Sequence, residues 1–190
     1  IGVPALKIAS GDLTFTPLLE YAASTHVPLL VSTGMATLAE VTDAVFGILC
    51  PVYKREGLCV LHCTSSYPLK PHDANLAVIP HMREVFACPI GYSDHTTDAE
   101  IIPAIAVALG AVVVEKHFMI DAASGSPDAG HSLTPAQFHR MVEVIRAVPE
   151  WLGDGVKQPQ ESELHERLWT RRSPEDWLRP TQEARAGRWA

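Results

Sequence analysis

The sequence predicts an α/β fold with a parallel sheet curved toward a barrel, and three observations carry that prediction. Five short apolar runs recur at about the length of a strand-and-helix unit: Ala5 to Ser10, Pro28 to Thr33, Leu58 to Thr64, Pro89 to Asp94 and Ala111 to His117. The stretches between several of them carry the periodicity and capping residues of helices. Each run also ends in small polar or ionisable residues. Chemistry gathered from the C-terminal ends of many strands belongs to barrels, whereas an open doubly wound sheet concentrates its ligands at one switch point.

Runs as continuously apolar as Val112-Val113-Val114 suit strands covered on both faces. Thr37 and Glu40 have the spacing of a capping box, and Leu38, Val41, Val45, Ile48 and Leu49 then follow on one helical face. Pro103 fits the first turn of a helix running to Gly110. Thr134, Pro135 and Gln137 start another helix, which carries Phe138, Met141, Val142, Ile145 and Leu152 and stops at Gly153. Beyond Gly155 the composition changes. All four Trp lie in the last 40 residues, and residues 161–190 hold six acidic residues and six Arg with few aliphatics. Residues 1–155 therefore read as the barrel-type domain, and 156–190 as a linker or the opening of another domain.

Composition narrows the function classes. The 190 residues are 47% hydrophobic and 19% charged, which suits a sizeable core rather than disorder. A formal net charge of -7 argues against a general nucleic-acid or anionic-membrane binder, so an anionic ligand needs a local site. No apolar run approaches the ~20 residues that span a bilayer and no export signal opens the chain, so the expected location is cytoplasmic. Cys50, Cys59, Cys63 and Cys88 lack a CxxC pair and read as free thiols.

The strand ends carry the chemistry. In Lys7-Ile8-Ala9-Ser10-Gly11-Asp12, a Lys facing a barrel mouth needs an anion, either a ligand's carboxylate or phosphate; at the strand's start it can instead be a surface residue. Asp12 can bind a substrate hydroxyl or cap the next helix. Ser32-Thr33-Gly34-Met35 sets hydroxyls and backbone N–H groups at a glycine turn before a helix, a phosphate cradle or a plain turn. In His62-Cys63-Thr64-Ser65-Ser66-Tyr67-Pro68, His62 and Cys63 point to opposite faces, which disfavours a Cys-His pair, and the hydroxyls fit better as donors to an oxyanion. His95, in Gly91-Tyr92-Ser93-Asp94-His95, and His117, in Glu115-Lys116-His117-Phe118, end consecutive strands. At an interstrand spacing of ~4.8 Å they can share one divalent metal with positions left open for water and substrate, or simply pack. His26, His72, His81, His131, His139 and His165 read as solvated or structural.

Taken in order, these strand ends, with Thr96 after His95 and with Pro127-Asp128, resemble the sialic acid synthase family over about residues 5 to 133, and more weakly to Arg172. The resemblance implies the last five βα units of a (β/α)8 TIM barrel, followed by a linker toward an antifreeze-like domain. It implies a metal-dependent condensation of phosphoenolpyruvate with N-acetylmannosamine or a related amino sugar, giving a nonulosonic acid and phosphate. By that analogy His95 and His117 ligate Mn2+ or Mg2+, and Lys7, Ser10, Ser32, Ser65 and Ser93 hold phosphoenolpyruvate. Asp12, Tyr67 and Asp128 line the sugar and metal-water region as candidate catalytic residues, and the implied partner is a second copy in a homodimer.

Two departures accompany the resemblance. The family's usual Gly-Pro-Asp-His is Ser126-Pro127-Asp128-Ala129 here, which keeps the acid and loses a His. The family's first three strands, with further pocket residues, have no counterpart before Ile1. At the other end, Leu178-Arg179-Pro180-Thr181 resembles the linker entering the antifreeze-like domain, which in the family gives an Arg to the partner subunit's sugar site. The alternatives are a pseudaminic or legionaminic acid synthase, a Schiff-base aldolase using Lys7 or Lys116, and a truncated relic that binds phosphoenolpyruvate without turnover.

Overall fold

The five apolar runs become five strands in a computed structural model that describes residues 2–53, 57–121 and 125–189, with side chains through 187. They are β1 (Leu6–Ile8), β2 (Leu29–Ser32), β3 (Leu58–Cys63), β4 (Ile90–Asp94) and β5 (Val114–Lys116). All pairings are parallel and the strand order is sequential, β1-β2-β3-β4-β5. Sequential parallel strands joined by helical crossovers form a curled half-barrel of the TIM type. Every strand is shorter than its apolar run, and in all but β4, which ends on Asp94, the last residues of the run leave the ladder and turn into the loops that build the site.

The helices are α1 (Thr16–Ser24), α2 (Leu38–Thr42), α3 (Cys50–Tyr53), α4 (Val78–Phe86), α5 (Ile101–Ala108) and α6 (Pro135–Leu152). The capping box before α2 is present: Glu40 N–H donates to Thr37 Oγ1, and Thr37 N–H donates to Glu40 Oε2 at 2.7 Å. The single helix expected after it is interrupted, because Asp43–Leu49 winds as a π-helix between α2 and α3. That wider turn offsets the drift of a four-residue stripe, so Val41, Val45 and Leu49 all remain buried. Within Ile1–Leu152, the bounds of α1 and α4 escape the sequence reading. In α1, Leu19, Ala22 and Ala23 are buried; in α4, Ile79, Met82 and Phe86 are.

The core lies between the helices and the outer sheet face. Ile8, Val31, Val60, Ile90 and Tyr92 pack there against Leu19, Val45, Leu49, Ile79 and Phe86. On the inner face, Gly91 allows a close approach: a Cβ there would stand 2.3 Å from Leu61 Cδ2 and 2.8 Å from Val113 O. A larger side chain would force β3 and β5 away from β4 and move the strand ends.

The chain divides into two compact units, Ile1–Leu152 and Gly153–Ala190. The second contains α7 (Leu164–Thr170) and α8 (Gln182–Trp189), with Gln160 and Glu163 forming a capping box ahead of α7. Among the described residues, no helix is long and apolar enough to cross a membrane.

Candidate active site

Strand alternation decides which side chains meet at the C-terminal end of the sheet. Asp94 and Lys116 are register partners on β4 and β5 and face the helices, so His95 and His117, each one residue later, face the opposite way. A cavity of about 410 Å³ lies on that inner side, lined by Lys7 and Ser10 from the first strand end and Ser32 from the second. Ser65 and Tyr67 close it from the third, Ser93 and His95 from the fourth, and Glu115 and His117 from the fifth. Of the residues read from the sequence, Asp12 and Asp128 do not line this cavity. Asp12 ends an exposed 3-10 turn, Ser10–Asp12.

One half of the cavity is rich in donors. Ser32 Oγ and Ser65 Oγ are buried without a hydrogen-bond partner among the described residues, and such hydroxyls are free to donate to an anionic acceptor. Ser10 Oγ accepts from Gly34 N–H at 2.9 Å and lies 3.1 Å from Cys63 Sγ, so the Gly34 turn and the cradle share one contact. Lys7 brings the cation, with Nζ 3.4 Å from Glu115 Oε2. Glu115, which the sequence reading passed over, is thus the anion that faces Lys7. The available signal was its parity with His117 and its register pairing with Ser93.

The other half is a cluster of rings. Tyr67 lies 4.2 Å from the His95 ring, 5.2 Å from His131 and 6.0 Å from His117, measured between centroids. The His95 and His117 rings are 5.6 Å apart. His95 Nδ1–H donates to Thr64 O at 2.8 Å, which fixes the tautomer and leaves Nε2, 3.5 Å from Ser93 Oγ, as the acceptor nitrogen. Burial lowers the His95 pKa below its ordinary value, the Thr64 hydrogen bond opposes that, and His117 lowers it further. A neutral imidazole with one nitrogen tied to a carbonyl is the form that binds a divalent ion, so His95 fits the expected metal.

His131, read from the sequence as solvated or structural, is buried rather than solvated. It is only 4% exposed, with its ring 4.4 Å from that of His117 and its Nε2 3.7 Å from Asp128 Oδ1. Asp128 Oδ2 lies 3.6 Å from His117 Nδ1. Among the described residues, His117, Asp128 and His131 each offer a possible ligand atom within 4.8 Å of the other two.

The other candidates sort by the face they occupy. His62 Nε2–H donates to Ala74 O at 2.8 Å while Cys63 lies beside Ser10, so the pair is split as strand alternation requires. Lys116 is removed from the cavity: its Nζ donates to Asp94 Oδ2 at 2.7 Å, Thr96 O at 2.5 Å and Asp98 O at 3.0 Å, and its side chain is fully buried. That correction excludes Lys116 as a Schiff-base nucleophile, because its ammonium is committed on the face away from the site.

Fold and site together define a TIM-type half-barrel whose strand ends combine buried hydroxyl donors, one lysine and an imidazole cluster. The chain belongs to the NeuB family, whose model matches residues 1–157. It is 45% identical over 91% of its length to the uncharacterized protein MJ1065 of Methanocaldococcus jannaschii, covering 50% of that protein. It is 41% identical over 91% of its length to the N,N'-diacetyllegionaminic acid synthase of Legionella pneumophila, covering 49% of that enzyme. The crystal structure of N-acetylneuraminic acid synthetase from Leptospira borgpetersenii in complex with citrate superposes with a TM-score of 0.78 at 38% identity, over 87% of this chain and 56% of that one. The chain thus spans about half the length of the curated relatives it matches.

Proposed function

We propose that the protein condenses phosphoenolpyruvate with N-acetylmannosamine or a related amino sugar, releasing a nonulosonic acid and phosphate, with a divalent metal, Mn2+ or Mg2+. The observation that carries this reading is the convergence in one cavity of Lys7, Ser10, Ser32, Ser65 and Ser93 with His95 and His117. The first set suits a carboxylate and a phosphate, and the second suits a metal. The named family members favour a nonulosonic acid as product.

In the proposed reaction, C3 of phosphoenolpyruvate forms a bond to the aldehyde carbon of the open-chain sugar. Water adds at C2, and the C–O bond to phosphate breaks. Lys7 pairs with the anionic substrate in place of Glu115, and Ser32 and Ser65 donate to its oxygens, which satisfies hydroxyls that have no hydrogen-bond partner among the described residues. His95 and His117 would hold the metal, which when bound supplies Lewis-acid polarisation of the aldehyde oxygen. Tyr67, beside both rings, orients the sugar, and Asp128, outside the cavity and 3.6 Å from His117 Nδ1, reaches the water that adds at C2 only by a shift of its loop. Asp12 reaches the sugar only through a movement of the Ser10–Asp12 turn. The same reading takes residues 156–190 as a linker to a further domain and the working form as a cytoplasmic homodimer.

A diacetamido sugar is the second acceptor reading, favoured by the 41% identity to a legionaminic acid synthase. Phosphate release from phosphoenolpyruvate, measured on the full-length protein with each sugar and with EDTA, tests both. Release that requires a sugar and is abolished by EDTA supports the proposal. Release that survives EDTA and is trapped by borohydride overturns the metal role, and no release with any sugar favours a relic that only binds.

A further inference from the structure

We infer that His131 is a third imidazole ligand for the divalent ion, completing a donor set with His117 and Asp128 beside His95. The inference rests on the metal reading proposed above and extends it to a residue outside the two strand-end histidines.

Three observations carry it. First, the His131 side chain is 3% exposed and its Nε2 has no hydrogen-bond partner among the described residues. A buried imidazole nitrogen without a hydrogen bond is costly, and a metal shared with the neighbouring carboxylate satisfies it. Second, one carboxylate faces two imidazoles with one oxygen each: Asp128 Oδ1 is 3.7 Å from His131 Nε2 and Oδ2 is 3.6 Å from His117 Nδ1. Cis donors about 2.1 Å from one ion stand roughly 3.0 Å apart in the octahedral set that Mg2+ and Mn2+ prefer. Binding one ion therefore requires each pair to close by roughly 0.6–0.7 Å. Third, the backbone holds the loop in place. Leu133 N–H donates to His117 O at 2.8 Å and Met119 N–H to Leu133 O at 3.0 Å, which docks the segment along the end of β5. Ser132 N–H and Oγ both donate to Asp128 O, at 3.1 and 2.8 Å, closing the turn that sets Asp128 and His131 on one side.

The test is direct Mn2+ binding to the full-length protein, followed by the electron paramagnetic resonance of the free ion and by the spin-echo modulation from coordinated imidazole nitrogen. The expected wild-type modulation is that of more than two imidazoles. His131→Phe, which keeps the ring volume, loses one of them and raises the Mn2+ Kd by about 10- to 100-fold. The wild-type count stands even if that variant misfolds. A two-imidazole wild-type signal, or an unchanged Kd in folded His131→Phe, overturns the inference and leaves the His95 and His117 site intact. Wild-type binding no tighter than that of the His95→Ala/His117→Ala double variant overturns the metal reading itself and this inference with it.

Discussion

Lys116 reaches from the end of β5 to place its Nζ 2.7 Å from Asp94 Oδ2 on β4, and neither side chain has any exposed surface. Asp94 also accepts from Thr96 N–H at 2.8 Å and from Thr96 Oγ1 at 3.1 Å, so the charge is fully surrounded by partners. The pair ties together the residues immediately before His95 and His117, and so sets the spacing of the two imidazoles from the opposite face of the sheet.

Removing one member leaves the other as an uncompensated buried charge. Lys116→Met is expected to destabilise the protein by about 3–5 kcal/mol, whereas Asp94→Leu/Lys116→Met recovers part of that loss because no lone charge remains. Denaturant unfolding of the two singles and the double reads the coupling. Additive effects would show that the pair does not act as a unit.

Ser32 and Ser65 hold unpartnered hydroxyls, so their loss has opposite effects on stability and on binding. Ser32→Ala and Ser65→Ala are each expected to leave Tm unchanged or slightly raised. Each weakens phosphoenolpyruvate by about tenfold to a hundredfold, the size of one hydrogen bond to a charged group. Calorimetric titration checks both, and a fall in Tm with intact binding would mean the hydroxyls serve packing alone.

Gly34 leaves the cradle open. An added Cβ would lie 2.2 Å from Ser65 Oγ, 2.9 Å from Ser10 Oγ and 3.0 Å from Cys63 Sγ. Gly34→Ala is therefore expected to raise KM for phosphoenolpyruvate at least tenfold and to cost about 1–3 kcal/mol of stability through overpacking. Steady-state kinetics and thermal unfolding on the same preparation separate the two effects. An unchanged KM would place the anion elsewhere in the cavity.

His62 makes stability depend on pH. Burial, partly offset by its hydrogen bond to Ala74 O, lowers its pKa below the ordinary 6.5. The unfolded chain then binds the extra proton, so the contribution of His62 is complete above about pH 6.5 and is lost as pH falls through the folded-state value. Tm of the metal-free protein is expected to decline below pH 6.5, and less steeply in His62→Gln. Equal slopes would assign the acid sensitivity to other groups, His95 and His131 among them, whose pKa values burial also lowers.

What was legible in the sequence came from local rules. The strand positions followed from the apolar runs, the start of α2 from Thr37 and Glu40, and α6 from Thr134 through Gly153. The opposed faces of His62 and Cys63 followed from alternation alone. The bounds of α1 and α4 were missed because their buried faces are short, three residues each, and neither N-cap residue makes a side-chain cap; Asp12, offered as a cap for the helix after it, does not cap α1, whose N-cap is Phe15. The π turn after α2 was missed because the same apolar spacing fits an ordinary helix until the packing of Val41, Val45 and Leu49 is known. Glu115 was passed over because its role depends on Lys7, four strands away in the sheet.

The sequence by itself determined the α/β repeat, the family resemblance and the opposed faces of His62 and Cys63, because backbone alternation is set within a few residues. Only the tertiary structure decided that Lys116 is tied up away from the site, that Asp12 stays outside the cavity, and that His131 lies against His117. Those outcomes depend on which strand end a loop docks against. For the Asp128 to Leu133 segment, two backbone hydrogen bonds to the end of β5 make that choice, and no local pattern in the loop encodes them.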